Sequence, residues 1–254
     1  MIEVFILSLI QGITEFLPIS SSSHLILISE HLTFDNRNLS IDISLHIGSF
    51  IAVVFYFYKD LLNFYNNRVL FIKILFSSIP IMIIGFFLVK SGLIDKLRNL
   101  ELIAWTTLIF GIILFISDRF KLDRTIDKDF SFRTALFVGL LQVLSLIPGV
   151  SRSGIGITAA RLLNFKRIDS AKISFLISIP ILGAVSIFGI NNLIFSNNFN
   201  FTKLNLFSII FSFFFSLITI KYFLKYINKF NLNIFVIYRL FLGVGLLVFT
   251  YLYK

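Results

Sequence analysis

Six stretches of this chain are apolar and long enough to cross a lipid bilayer: residues 41–58, 71–90, 101–117, 171–190, 206–226 and 234–252. No other feature constrains the fold as much. A hydrocarbon layer offers no water to backbone N–H and C=O groups, so a crossing segment must satisfy them internally, as a helix of about 20 residues does. Composition agrees: 57% of the 254 residues are hydrophobic and only 14% are charged, against about a quarter charged in a soluble domain. The chain is therefore read as an all-α polytopic membrane protein, one integral membrane domain over residues 1–254.

Two regions are apolar but too broken to cross. Residues 1–33 hold a short apolar helix, then "PISSSSH", then the brief run "LILISE"; residues 134–165 hold "TALFVGLLQVLSLI", then "PGVSRSG", then "IGITAARLL". Apolar runs of about 10–14 residues suit segments that enter a membrane and return, so each region is expected to be a re-entrant helix–loop–helix hairpin. Proline placement agrees. Of the four prolines, Pro18 and Pro148 stand in the two polar loops, while Pro80 and Pro180 stand in two copies of "SIPI". The hairpins share a spacing, since Gln11 precedes Ser20 by as many positions as Gln142 precedes Ser151. Such symmetry is what an inverted-repeat architecture leaves, with its site at the midplane between broken helices.

The basic residues set an orientation. If each hairpin returns to its own side, one face collects 15 Lys and Arg and the other 6, so the rich face is expected to be cytoplasmic with both termini outside. The "SSSSH" hairpin then enters from the outer side and the "SRS" hairpin from the cytoplasmic side, with tips meeting near the middle. The net charge of +10 fits loops over anionic lipid and excludes a nucleic-acid role in a chain this apolar. The start, "MIEVFILSLIQGITEFLP", has no basic n-region and no small-residue cleavage site, and is read as a retained helix. Without cysteine, disulfides and thiolate chemistry are excluded.

Ionisable groups at membrane depth mark candidate function. Gln11 and Glu15 lie four apart, on one helical face, where amide and carboxylate oxygens could hold a hard divalent cation; Glu15 could equally end a helix in water. Among Ser20, Ser21, Ser22 and Ser23 at least one serves as a helix cap, and the helix start offers free N–H groups to an anion. His24, one turn on, could pair with a serine as proton shuttle and nucleophile. Arg152 at the other tip needs an anion, a phosphate or else Glu15; Ser151, Ser153, Gly149 and Gly154 could complete a phosphate cradle. Asp42 and His46 lie at the outer start of a spanning segment, extending the site or resting among headgroups. His31 is placed at the interface, and Arg239 in "VIYRL" either binds or packs on backbone carbonyls. One tip supplies carboxylate, hydroxyl and imidazole, the other arginine and hydroxyl. That pair suits the phosphate or diphosphate of a lipid headgroup.

At these residues the chain resembles the undecaprenyl-diphosphate phosphatases of the bacitracin-resistance type. The family motifs "xGxTEFLPxSSxxH" and "PGxSRSGxT" stand here as "QGITEFLPISSSSH" and "PGVSRSG", and "LHIGSFIAVV" and "FVIYRL" also match, so the resemblance runs over essentially the whole chain. It implies an inner-membrane enzyme with two re-entrant hairpins, its site open to the periplasm, that hydrolyses undecaprenyl diphosphate to the monophosphate. That recycles the carrier for peptidoglycan synthesis and confers bacitracin resistance. It also implies Mg²⁺ or Ca²⁺. By motif, Gln11 and Glu15, extended by Asp42, would serve the metal; Ser21 would be the nucleophile and His24 the acid/base. Arg152, Ser151 and Ser153, with Ser20, Ser22, Gly149 and Gly154, would hold the diphosphate. Two positions depart from the stricter pattern: Gln11 replaces a metal carboxylate, and Gly156 stands where threonine is expected, with Thr158 facing elsewhere.

The chemistry implied is metal-assisted phosphoryl transfer through Ser21, with water or His24 as other attacking groups. Lipid phosphatases related to acid phosphatases need a histidine after the arginine; all three histidines here precede Arg152, which excludes that family. A transporter or flippase of the polyprenyl-phosphate carrier is the alternative. Expected partners are the polyprenyl diphosphate and membrane lipids, with a homodimer left open.

Overall fold

The computed structural model describes residues 1–31, 39–62, 68–195 and 201–252. The His31 side chain, Arg37 and Lys254 lie outside the described residues. Helices follow in the order α1 (Ile2–Thr14), α2 (Ser21–His31), α3 (Leu39–Tyr56), α4 (Tyr58–Leu62), α5 (Arg68–Lys90), α6 (Leu93–Lys96) and α7 (Leu100–Ser117). Then come α8 (Ile126–Asp129), α9 (Phe132–Gln142), α10 (Arg152–Leu162), α11 (Arg167–Phe195), α12 (Lys203–Ile227) and α13 (Asn233–Leu252). A 3₁₀ turn, Val143–Leu146, extends α9. Among the described residues no strand forms; an isolated parallel bridge joins Arg124 to Phe165.

The six expected crossings are α3, α5, α7, α11, α12 and α13, each long and apolar enough to span. Pro80 and Pro180 sit inside α5 and α11 without ending them. α11 outruns its apolar core at the N-terminal end, where Arg167 Nε donates to Asp118 Oδ1 at 2.6 Å. Lipid-facing surfaces are aromatic and aliphatic, with Phe87 64% and Phe241 76% exposed; in a membrane these meet acyl chains, not water.

Without a hydrophobic drive between helices in lipid, association depends on close packing and interhelical hydrogen bonds. Both devices are used. Gly12 lets α1 touch α12, where an added Cβ would stand 2.5 Å from Phe215 Cβ, and Gly139 lets α9 lie on the backbone of Ser77 in α5. α3 and α12 share a buried polar ladder: Asn205 Nδ2 donates to Ser40 Oγ at 2.6 Å and Ser44 Oγ at 3.0 Å, and Ser212 Oγ to the Leu45 carbonyl at 2.7 Å. The apolar core lies beneath the tips of the two short-helix pairs. Phe16, next to Glu15, meets Phe175 of α11 edge-on at 5.3 Å.

The short pairs α1–α2 and α9–α10 match each other in local conformation. α2 and α10 start directly after Ser20 and Ser151, which both take a left-handed backbone, φ 73 and φ 70. Left-handed non-glycine residues are uncommon and costly, so two at matched positions show one turn design used twice. Ser151 also caps α10, its Oγ accepting from Gly154 N at 3.1 Å. At its far end α10 is tied down by Arg161, wholly buried, which donates to the carbonyls of Lys121 (3.0 Å), Phe120 (2.5 Å) and Phe165. Arg161 belongs to this anchor, not to a lipid-facing loop.

Candidate active site

Arg239 of α13 brings the two tips together. Its side chain is fully buried, and it donates Nη1 to the carbonyls of Pro18 (3.2 Å) and Val150 (3.1 Å), Nη2 to that of Gly149 (2.8 Å) and Nε to that of Thr107 (3.2 Å). Of the two sequence expectations for Arg239, packing on carbonyls is the one observed. Two further bonds close the junction: Ser153 Oγ donates to the Leu17 carbonyl at 2.7 Å and Thr106 Oγ1 to the Pro148 carbonyl at 2.6 Å. Gly149, φ 94, packs so tightly on Thr106 and Ile103 of α7 that any side chain would collide. Gly149, Gly154 and Ser153 therefore build the tip; none of them lines the cavity described next.

Across this junction Arg152 Nη2 pairs with Glu15 Oε1, two residues 137 positions apart in sequence. The other carboxylate oxygen, Oε2, accepts from Ser21 Oγ at 2.6 Å and from Gln11 Nε2 at 3.0 Å. Gln11 Nε2 also lies 3.1 Å from His46 Nδ1 of α3. Glu15 is 7% exposed. A carboxylate so deeply placed is tolerable only because a guanidinium, a hydroxyl and an amide share its charge. Among the described residues Arg152 spends one of its five N–H donors, on Glu15, which leaves the others for a ligand.

A cavity of about 330 Å³ opens over this group, within the range of small-molecule sites. Its polar wall holds Glu15, Ser20, Ser21, Ser22, Ser151 and Arg152 from the tips, with Asp42 and His46 from α3 and Arg98 from the connection before α7. Its apolar wall is built by Ile81, Leu146, Ile181, Leu182 and Val185. A charged head beside a greasy slot is the shape of a lipid with an anionic headgroup.

His24 is held elsewhere. Nδ1 lies 2.6 Å from the Ser20 carbonyl, Nε2 lies 2.5 Å from Tyr238 Oη, and the two rings stack. A carbonyl only accepts, so the proton sits on Nδ1 and Nε2 accepts from Tyr238. The group receiving the Ser21 hydrogen bond is Glu15, not His24. Arg98, Ser145 and Tyr238 were not singled out from sequence; Tyr238 alone carried a signal, in the quoted "VIYRL" beside Arg239. At Gly156 a side chain would stand 2.6 Å from both Gln142 Nε2 and Ser174 Oγ. The Gln142 amide is buried without a partner among the described residues. Thr158 is buried within α10 and does not reach the cavity.

The residues form no ready cation cage. Glu15 has both oxygens on donors, Gln11 turns its nitrogen toward Glu15 and His46, and no group of three His, Asp or Glu among the described residues could close on a metal. A cation that takes most of its shell from phosphates and water and adds one or two carboxylates, as Mg²⁺ usually does, would find Glu15 and Asp42 on one cavity wall.

Comparison with known proteins places these features in context. The family model described as bacitracin resistance protein BacA matches residues 4–245. A protein of Pelagibacter ubique (strain HTCC1062) named undecaprenyl-diphosphatase is 51% identical, with 98% of each chain covered. Proteins of the same name from Saccharophagus degradans (40%, 94% of each chain) and Jannaschia sp. (36%, 98% of each chain) are also similar.

Proposed function

The chain belongs to the bacitracin resistance protein BacA family, and from that premise we propose that it hydrolyses undecaprenyl diphosphate to undecaprenyl phosphate and inorganic phosphate. The observation that carries this is the meeting of Arg152, Ser21 and Glu15 on the polar wall of a cavity whose other wall is apolar. The diphosphate lies on the polar side and the polyprenyl chain leaves past Ile181, Leu182 and Val185.

Phosphoryl transfer depends mainly on positioning and on neutralising charge over the transferring oxygens. Arg152 supplies that charge from its free N–H groups while Glu15 keeps the guanidinium oriented. Ser21 Oγ attacks the terminal phosphorus as its proton passes along the 2.6 Å hydrogen bond to Glu15 Oε2. Undecaprenyl phosphate leaves, and water then releases phosphate from the serine. Glu15 and Asp42 would hold a divalent cation, which when bound would supply further charge neutralisation.

The same reading places the protein in the bacterial plasma membrane, with α1–α2 and α9–α10 as re-entrant hairpins of an inverted repeat. In support, α1 has 13 residues and α9 has 11, about 20 and 17 Å of helix against a ~30 Å core, and the two tips share the Ser20/Ser151 turn. A periplasmic opening is supported by Arg98 at the cavity, on the face poorer in basic residues. There the enzyme would return the carrier lipid to peptidoglycan synthesis and oppose bacitracin.

Phosphate release by purified protein in detergent, where no gradient exists, tests this. We expect release from undecaprenyl diphosphate that Glu15→Ala and Arg152→Ala abolish. No release by folded wild type with Mg²⁺ or Ca²⁺ would overturn it in favour of carrier transport.

A further inference from the structure

The mechanism leaves unused a polar pair beside Glu15: His46, half-buried on the cavity wall, and Gln11, wholly buried against it. Their geometry fixes a tautomer. An ionised carboxylate only accepts, so the Gln11 amide must present its nitrogen to Glu15 Oε2, 3.0 Å away. That nitrogen, which also only donates, is the group 3.1 Å from His46 Nδ1. Nδ1 is therefore the bare nitrogen of the imidazole, and its N–H is on Nε2. Turning the amide over would set Gln11 Oε1 against the carboxylate, acceptor to acceptor. The structure instead leaves Oε1 buried with no hydrogen-bond partner among the described residues, an arrangement that costs energy and is explained if the two N–H groups are what the site needs from this residue.

The two described histidines thus end in opposite states. His24 has both ring nitrogens occupied, by the Ser20 carbonyl and Tyr238. His46 has Nδ1 occupied by Gln11, while Nε2 has no hydrogen-bond partner among the described residues. It shares the cavity with Arg152 and Ser21. A residue buried in the bundle thus leaves an imidazole N–H on the wall of the cavity that Arg152 also lines.

We infer that His46 is a substrate-contacting residue whose Nε2–H donates to a phosphate oxygen of the diphosphate, with Gln11 as the positioning residue that sets its tautomer. This rests on the phosphatase reading above and extends it to a helix outside both hairpin motifs. It also gives the glutamine at position 11 a task that a metal-binding carboxylate would not perform: a glutamate there has no N–H to give Nδ1 and would draw the imidazole proton to the wrong nitrogen.

Three variants separate contact from support, because asparagine places its amide near Nδ1 and glutamine near Nε2. His46→Gln keeps a donor in the cavity; we expect its kcat/KM within about threefold of wild type. His46→Asn keeps the Gln11 side only, and His46→Ala keeps neither. Both should lose roughly 10- to 100-fold, the equivalent of one hydrogen bond to a charged group. Nitrogen-15 spectra of histidine-labelled wild type supply a readout independent of turnover: the resonance pair that disappears in His46→Ala should show a bare Nδ1 and a protonated Nε2. The inference is overturned if His46→Asn retains activity while His46→Gln loses it, if all three stay within twofold, or if Nδ1 carries the proton. Wild type that releases no phosphate would instead sink the phosphatase reading, and this inference with it.

Discussion

Replacing Arg239 by leucine removes a side chain that binds carbonyls of both tips. Four hydrogen bonds to carbonyls disappear, from Thr107, Pro18, Val150 and Gly149. At the ~0.6 kcal/mol average of interhelical hydrogen bonds measured in a membrane protein, the four together contribute about 2.4 kcal/mol. At the ~1.5–3 kcal/mol of bonds to charged groups they would contribute about 6–12 kcal/mol. The larger figure overshoots, because the variant is also relieved of burying a guanidinium that has no carboxylate partner among the described residues, which offsets several kcal/mol. We therefore expect a net loss of about 2–5 kcal/mol, a fall in Tm of roughly 5–15 °C for a chain of this size. Activity should suffer more than stability. The Glu15–Arg152 pair spans the junction that Arg239 closes, and a misplacement of about 1 Å can cost ~100-fold. Thermal unfolding in detergent, beside phosphate release below the lowered Tm, measures both. Arg239→Lys should be intermediate in Tm and still poorly active, since one ammonium cannot reach Thr107 and both tips. An Arg239→Leu protein with wild-type Tm and turnover would refute the idea that this arginine assembles the site.

Other outcomes follow from the same geometry. Ser21→Ala should lower kcat by at least about 10³-fold if the serine is the nucleophile; near-normal turnover in a phosphate-release assay would assign attack to water. Tyr238→Phe removes a single hydrogen bond to His24 outside the cavity, about 1 kcal/mol, so kcat/KM should fall less than tenfold. A loss as large as that of Arg152→Ala would place His24 in the chemistry. Chelator should suppress release and added Mg²⁺ restore it, with Asp42→Asn raising the Mg²⁺ concentration for half-maximal rate several-fold. Equal Mg²⁺ titrations in wild type and variant would remove Asp42 from that role.

Much of this protein is legible one segment at a time. The six crossings are visible because the bilayer imposes a length and a polarity on each run separately. The polar tips are visible because "PISSSSH" and "PGVSRSG" interrupt segments too short to cross. What each tip residue touches was less legible. His24 stands among serines and invites pairing with them, yet one helical turn directs it back to the Ser20 carbonyl and out to Tyr238, 214 positions on. His46 read as either extending the site or resting among headgroups; it lines the cavity, because α3 packs against α1, α11 and α12 and so sets His46 against Gln11. Gly149 and Gly154 read as a phosphate cradle; the first is needed for close contact with Thr106, and the second caps onto Ser151.

Residence in a membrane, the positions of the crossings and the polar residues at depth can all be read from single segments, because burial in hydrocarbon penalises each one locally. The pairing of Glu15 with Arg152, the hydrogen bond from Ser21 to Glu15 and the hold of Arg239 on carbonyls of both tips come from the packed fold. Those partners are far apart in the chain, and which donor reaches which acceptor depends on how closely the helices behind them can pack.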